Sequence, residues 1–474
     1  MNKIIDLPMY LAGEAVNTNQ KMRVHYPYDK SLVGTISMGT REHLETAITR
    51  MLKKGKILNR YQRYEVLNNA RELLKKRADE FATYIRMETG LCDYETRYEL
   101  GRTTDFLMFS SMEALRDDGQ IFSCDISAQG KNRKIFTLRE PLDLMAAITP
   151  FNHPLNQVAH KVAPAIAAGT PVILKPSDKT PITAIKFCEL LYEAGLPGWM
   201  LSVMLGPIES VIEPMVRDER ICLVSFTGSV AIGKHIANIA GYKKTCLELG
   251  GNAALIVLLD ADLDLAASLA AEGSYRNSGQ RCTAVKRILV HEKIEKDFVK
   301  LFIEKTKEYK IGDPADPKTK VGTVIDEASA IDLENRVKEA VAQGATVVYG
   351  GKRNGAQMEP TIITNVPRTA RMVCTESFGP LSPVLVYKDI EDAIHLTNDS
   401  FCGLSCGVVT NDLQGAIEII KRIKTGTVNV NAVPGYRIEN SPFGGVKDSG
   451  LGIKEGVIEA MKTMSTVKTF SLPW

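Results

Sequence analysis

The sequence predicts an α/β protein of two domains, the first built on a doubly wound parallel sheet, with a small β-hairpin set apart from both. Three observations carry this. From about residue 144, short apolar runs alternate with stretches of helical length, the pattern of parallel strands joined by crossover helices. A second alternation of this kind begins near 250. The chain of 474 residues also exceeds what one hydrophobic core supports, since single cores stop growing at roughly 250–300 residues.

The elements follow in order. "DDGQIFSCDISAQGKNRKIFTLREP", 117–141, alternates about a glycine-containing turn and reads as an isolated hairpin. "LMAAITP" (144–150) reads as a buried strand, "LNQVAHKVAPAIAAG" (155–169) as a helix closed by glycine, and "PVILKPS" (171–177) as a strand. "PITAIKFCELLYEAG" (181–195) is a helix, followed by the strands "LSVML" and "ICLVSF", then the helix "GSVAIGKHIANIAG" (228–241) and the strand in "KTCLELGG" (244–251). In the second region "AALIVLLD" (253–260) is a strand, "LDLAASLAAEGSYRNSG" (263–279) a helix, and "CTAVKRILVHE" (282–292) a strand. Four more strands lie in "ATVVYGG", "SPVLVYKD", "LSCGVVTND" and "GTVNVN". "TVKTFSLPW", 466–474, is strand-like with nothing after it, so it and the detached hairpin are edges that need partners, and an oligomer is expected.

Composition excludes several functions. A net charge of +3 over this length supplies no concentrated basic face, so no nucleic-acid partner is expected. The N-terminal "MNKIIDLPMYLAGEAV" lacks a signal-peptide core, and no apolar run approaches a membrane span, so a cytoplasmic protein without membrane attachment is expected. The nine cysteines form no CxxC pair and no Cys/His cluster has metal-ligand spacing, which fits reduced thiols and no metal.

Four motifs bear on chemistry. "GSVAIGK", 228–234, imitates a phosphate-binding loop after an apolar strand, but the hydroxyl that would hold magnesium is replaced by His235. A helix N-terminus there can still receive a pyrophosphate, because its free N–H groups favour anions. "TPFNHPLN", 149–156, places Asn152 near a strand's C-terminal end, either as part of a loop cap or as an amide donor to a reacting oxygen. "ELGG" puts Glu248 at the end of an apolar strand, as a structural pair or as a general base. "NSGQRCTAVKR" sets Cys282 directly after Arg281, either a buried thiol or a nucleophile activated by the adjacent charge. A thiolate, an amide, a carboxylate and a nucleotide site suffice to oxidise an aldehyde through a thioester.

"TPFNHP", "LKPS", "FTGS", "LELGG", "GQRC", "ESFGP" and "SPFGGVKDSG" occur in the order found in the aldehyde dehydrogenase superfamily, which the chain resembles over essentially its whole length. The resemblance implies a Rossmann-type NAD-binding domain (1–118 and 142–249), an α/β catalytic domain (250–446), and oligomerisation or bridging segments (119–141 and 447–474) that extend a neighbouring subunit's sheet in a homodimer or homotetramer. It implies Cys282 as nucleophile, Asn152 as oxyanion donor and Glu248 as the base that activates water. For the cofactor it implies Lys175 at the adenosine ribose, Ser229 at the pyrophosphate, Glu376 at the nicotinamide ribose and Phe378 beside the nicotinamide. Ile148, Pro150, Phe151, Ser177, Thr227, Gly228 and Leu249 belong to the same site. Asp178 stands where relatives that prefer NAD often carry glutamate, so NAD is expected, with NADP possible.

Arg102, Arg281 and Arg437 map onto the substrate tunnel, with His153 and Thr283 beside them, and three guanidinium groups converging there would suit an anionic tail. Within the family the pattern is most similar to members that oxidise phosphonoacetaldehyde. The rival substrates are sulfolactaldehyde, sulfoacetaldehyde, lactaldehyde and glyceraldehyde 3-phosphate. A non-catalytic relative would have lost Cys282, Glu248 or Asn152, and a coenzyme A-acylating enzyme has no need of Glu248.

Overall fold

A computed structural model describes residues 4–453 and 455–474. Two seven-stranded sheets organise it. In the first, Met145–Ile148 lies centrally, with Val172–Lys175 and Leu201–Val203 on one side and Leu223–Thr227 and Lys244–Glu248 on the other. These five strands are parallel, while Met9–Leu11 and Glu14–Val16 join the edge antiparallel. Strand order therefore reverses between Met145–Ile148 and Leu223–Thr227, and such sheets bind ligands beyond the strand C-termini at that point.

The second sheet runs Thr346–Tyr349, Thr361–Thr364, Leu381–Tyr387, Val285–His291, Ala253–Val257, Ser405–Val409 and Thr427–Val430. All neighbours are parallel except the antiparallel edge Thr346–Tyr349. Its central strands are apolar runs buried on both faces, as Ala253–Val257 illustrates. The helix Asn156–Ala168 explains why alanines recur in its sequence: all but Gln157 are buried, so small side chains are needed for the sheet and neighbouring helices to approach. Gly169 closes it with φ +85, a left-handed conformation that glycine adopts without steric cost.

Two expectations are corrected. The 119–141 hairpin is not isolated and the C-terminal strand is not partnerless, because they pair with each other. Arg133–Pro141 takes Ser465–Pro473 antiparallel along its whole length, with Ile121–Ser123 on its other edge. Phe136 stacks on Phe470 with centroids 5.3 Å apart, and Lys134 lies 4.0 Å over the Trp474 ring. The helix expected over 263–279 ends at Tyr275. Asn277 and Ser278 then adopt φ of 57° and 52°, left-handed values uncommon outside glycine, and turn the chain back toward Cys282.

Candidate active site

A cavity of about 550 Å³ opens at the reversal point, within the range of small-molecule sites. Pro150, Phe151 and Asn152 form one wall, following the strand Met145–Ile148. Thr227, Gly228 and Ser229 form the next, after the neighbouring strand. Ser229 caps the helix Val230–Ile239, its Oγ accepting from the Ile232 N–H at 3.4 Å, so a helix N-terminus faces the space. Glu248 and Leu249 end the third strand, and Cys282, Glu376 and Phe378 approach from the second sheet. Phe151 and Phe378 meet edge to face at 5.8 Å.

Hydrogen bonds fix the nucleophile loop against the first sheet. Asn152 Nδ2 donates to the Gln280 carbonyl at 2.9 Å, and Asn277 Nδ2 donates to the Asn152 carbonyl at 3.1 Å. Gln280 Oε1 accepts from the Ile325 N–H at 2.8 Å. The left-handed turn at Asn277 is therefore what brings an amide side chain into register with Asn152.

Arg281, next to Cys282 in sequence, directs its guanidinium to the main chain. Its Nη2 donates to the carbonyls of Glu272 and Gly273 at 3.1 and 3.0 Å, tying the loop to the end of the helix Leu263–Tyr275. Burial pushes the Cys282 thiol up to about 11, and Glu376 adds to this; Arg437 and Lys286 pull the other way. Beneath the thiol, Lys286 donates to the Gly279 carbonyl at 2.6 Å and sits 5.2 Å over the Phe378 ring. Burial lowers the Lys286 ammonium and raises the Glu376 carboxyl, while each opposes the other's shift.

Of the residues expected at the cofactor, eight line the cavity: Pro150, Phe151, Thr227, Gly228, Ser229, Leu249, Glu376 and Phe378. Ile148 does not. Lys175 is engaged with Asp178 at 2.7 Å, Ser177 accepts from the Lys179 N–H at 3.2 Å, and Asp178 lines an adjoining cleft with Lys179 and Asp326. A dinucleotide fits what is present. Thr227 Oγ1 is buried with no hydrogen-bond partner among the described residues, and the Glu376 carboxylate approaches the main chain so closely that a Cβ on Gly250 would lie 2.5 Å from its Oε2. Sequence reading missed the opposite wall, Asp326–Arg336, which carries no motif. There Arg336 donates to Thr375 Oγ1 at 2.9 Å.

None of the five residues expected at the substrate lines the cavity, although Arg102 and Arg437 both lie near Glu439. Arg102 gives its charge to Glu439, Nε to Oε1 at 2.6 Å. His153 lies 3.7 Å from Glu99, and Thr283 packs beneath Gly435, where a Cβ would come within 2.3 Å of its hydroxyl. Arg437 is different. Its guanidinium lies 3.6 Å over the Phe443 ring and its buried Nη1 has no partner among the described residues. Burial, then Arg102, lower its affinity for the proton. Glu439 was missed by sequence. Burial alone would raise its carboxyl, but His160, Arg102 and Arg437 hold it well below the usual carboxylate range. Among the described residues Lys161 and Glu455 make a further buried pair at 2.8 Å.

The imitation of a phosphate-binding loop is set aside by geometry. Lys234 pairs with Asp448 at 2.6 Å and His235 with Glu213 at 2.8 Å, so neither serves the loop. Among the described residues no group of three His, Cys, Asp or Glu is placed to hold a metal ion, and no helix is long and apolar enough to cross a membrane. The nine cysteines are free thiols.

Residues 15–470 match the Aldehyde dehydrogenase family. The chain is 41% identical over 458 residues to the 3-sulfolactaldehyde dehydrogenase of Priestia aryabhattai, covering 96% of both chains. It is 36% identical over 468 residues to the lactaldehyde dehydrogenase of Methanococcus maripaludis, covering 97% of this chain and 99% of that one. Among solved structures, the NADP-dependent glyceraldehyde-3-phosphate dehydrogenase of Bacillus halodurans complexed with NADP superimposes with a TM-score of 0.96 at 32% identity, over 99% of each chain.

Proposed function

The chain belongs to the aldehyde dehydrogenase family, and from that premise we propose that it oxidises a small aldehyde with an anionic tail, specifically phosphonoacetaldehyde to phosphonoacetate, using NAD(P). The observation that carries the anionic tail is Arg437: its buried Nη1 has no partner among the described residues, and its guanidinium is close enough to Cys282 to bias the thiol. Glu439 answers part of the Arg437 charge, and a substrate oxyanion would complement the Nη1 donor that is left open.

In this reading the Cys282 Sγ attacks the aldehyde carbon and loses its proton as the thiohemiacetal forms. The Asn152 amide and the Cys282 N–H hold the developing oxyanion, a donor of this kind being worth ~3–4 kcal/mol. Bound NAD(P) supplies the hydride acceptor. Glu248, buried at the cavity wall, takes a proton from the water that releases the acid from the Cys282 thioester. NAD is read as the preferred cofactor, but the Lys175 ion pair offsets the Asp178 charge, so NADP is admitted. The hydrophobic residues Phe470, Leu472 and Trp474 on the exposed three-stranded sheet support self-association as a dimer or tetramer, and the free thiols suit a reducing cytoplasm.

Sulfolactaldehyde is the second reading. The Priestia relative bears that activity in its name, and Glu439 answers the Arg102 charge, which leaves less positive charge than three free arginines for a dianionic phosphonate. Reduced-cofactor formation with phosphonoacetaldehyde, sulfolactaldehyde, glyceraldehyde 3-phosphate, lactaldehyde and propanal, each with NAD and NADP, tests both. A kcat/KM for phosphonoacetaldehyde at least about tenfold above the rest, ~1.4 kcal/mol, supports the specific reaction. A sulfonate winning keeps the anion site and replaces the substrate; propanal winning removes the role of Arg437.

A further inference from the structure

We propose that a cleft remote from the catalytic cavity, between the helix Arg60–Lys76, the end of the helix Asp93–Leu115 and the segment 457–465, is a second binding site for a small oxyanion head group of the phosphate, sulfonate or carboxylate class. The cleft encloses about 100 Å³ and shares no lining residue with the cavity around Cys282. Arg60, Arg63, Arg116, Arg139 and Lys462 face it, against Glu113 and Asp118.

Four of the five cations are answered within the chain. Arg60 pairs with Asp117 at 3.1 Å and Arg116 with Glu113 at 3.5 Å. Arg139 pairs with Asp118 at 2.6 Å and Lys462 with Glu459 at 2.7 Å. Arg63 has no such partner. Among the described residues it makes no ion pair, and its Nε is shut away from solvent without an acceptor. Burial pushes its guanidinium down to about 10, and Arg60, one helical turn earlier, adds like-charge repulsion.

The fork lies beside a helix end. Arg63 Nη1 lies against Gly169, where a Cβ would come within 2.7 Å, at the C-terminal end of the helix Asn156–Ala168. That helix end favours a cation through its dipole, but among the described residues Arg63 makes no side-chain hydrogen bond to it. A half-buried guanidinium that lines a cleft beside four further cations, with no carboxylate partner among the described residues, is an arrangement suited to binding an oxyanion through two oxygens. The volume admits a head group rather than a nucleotide.

The test is calorimetric titration of the NADH-bound protein with inorganic phosphate, in an Arg437→Gln background so that the catalytic anion position is disarmed. One phosphate per chain is expected, weakened by roughly tenfold or more on adding Arg63→Gln, with Arg63→Lys in between. Thermal melts keep the assignment falsifiable. Without phosphate, Arg63→Gln is expected to melt at or above the wild-type temperature, because it removes an unmatched charge; phosphate should stabilise the wild type and not the variant. Absent binding, or binding unaffected by Arg63→Gln, would overturn the proposal. So would a variant that melts lower without phosphate, since Arg63 would then be a structural cap of the helix at Gly169.

Discussion

Glu439 is the residue whose loss the structure lets one quantify. Glu439→Gln keeps size and hydrogen-bonding capacity but removes the negative charge that faces Arg102 at 2.6 Å, has His160 at 3.1 Å and lies near Arg437. Removing one partner of a buried ion pair costs ~3–5 kcal/mol. Retention of a glutamine acceptor and the partial exposure of the Arg102 side chain, 22%, reduce this to ~2–3 kcal/mol. Urea denaturation of both proteins at pH 7.5 and equal concentration measures it. The sign with pH follows from the depressed carboxyl. Its stabilisation is full above the unfolded value of about 4.3 and is lost as pH falls through the lower folded value, so the deficit of the variant should be constant from neutral pH down to about 5 and shrink below about 4. His160 is likewise held neutral, burial being the main cause, so wild-type stability should begin to fall below about 6.5 as the unfolded chain takes up that proton. In kinetics, Glu439→Gln should leave KM for an anionic aldehyde unchanged or lower, because Arg102 is released. A stability loss under ~0.5 kcal/mol, or a deficit that grows in acid, would refute the account of Glu439 as the countercharge.

Further expectations concern the reacting groups. Alkylation of Cys282 by iodoacetamide should rise with pH toward about 11, and Arg437→Gln, which removes a neighbour that favours the thiolate, should shift that profile upward. Asn152→Ala should lower kcat by about 10²–10³ with little change in KM, the loss of one oxyanion donor; an unchanged kcat would place the amide elsewhere. Gly250→Ala should push Glu376 aside, since the new methyl would meet its carboxylate, and raise the cofactor KM roughly tenfold while leaving aldehyde KM alone.

What the sequence made legible is local. Apolar runs at parallel-strand spacing located most strands of both sheets, and Asn152, Ser229, Glu248 and Cys282 were legible as candidates because each sits within a few residues of a strand end. Side-chain pairing across the chain was not legible. Arg102 and Glu439 are 337 positions apart, and nothing near either predicts that one silences the other. The direction of Arg281 was not legible for a related reason: adjacency in sequence says little about where a long side chain points, and this one turns to the carbonyls of Glu272 and Gly273. The wall at Asp326–Arg336 escaped because a helix face needs no signature residues to close a cavity. The turn at Asn277 escaped because its left-handed backbone lacks the glycine that usually announces one.

The sheet that joins Arg133–Pro141 to Ser465–Pro473 sets an order on the chain's birth. Arg133 and Ser471 bond across 338 positions, so a ribosome adding roughly 5–20 residues per second leaves the long strand waiting some 15–60 s for its partner. Throughout that interval Phe136 and the open edge of the hairpin stand uncovered, a template for pairing with other nascent chains. Closure of this three-stranded sheet within the chain therefore waits on the synthesis of residues 465–473.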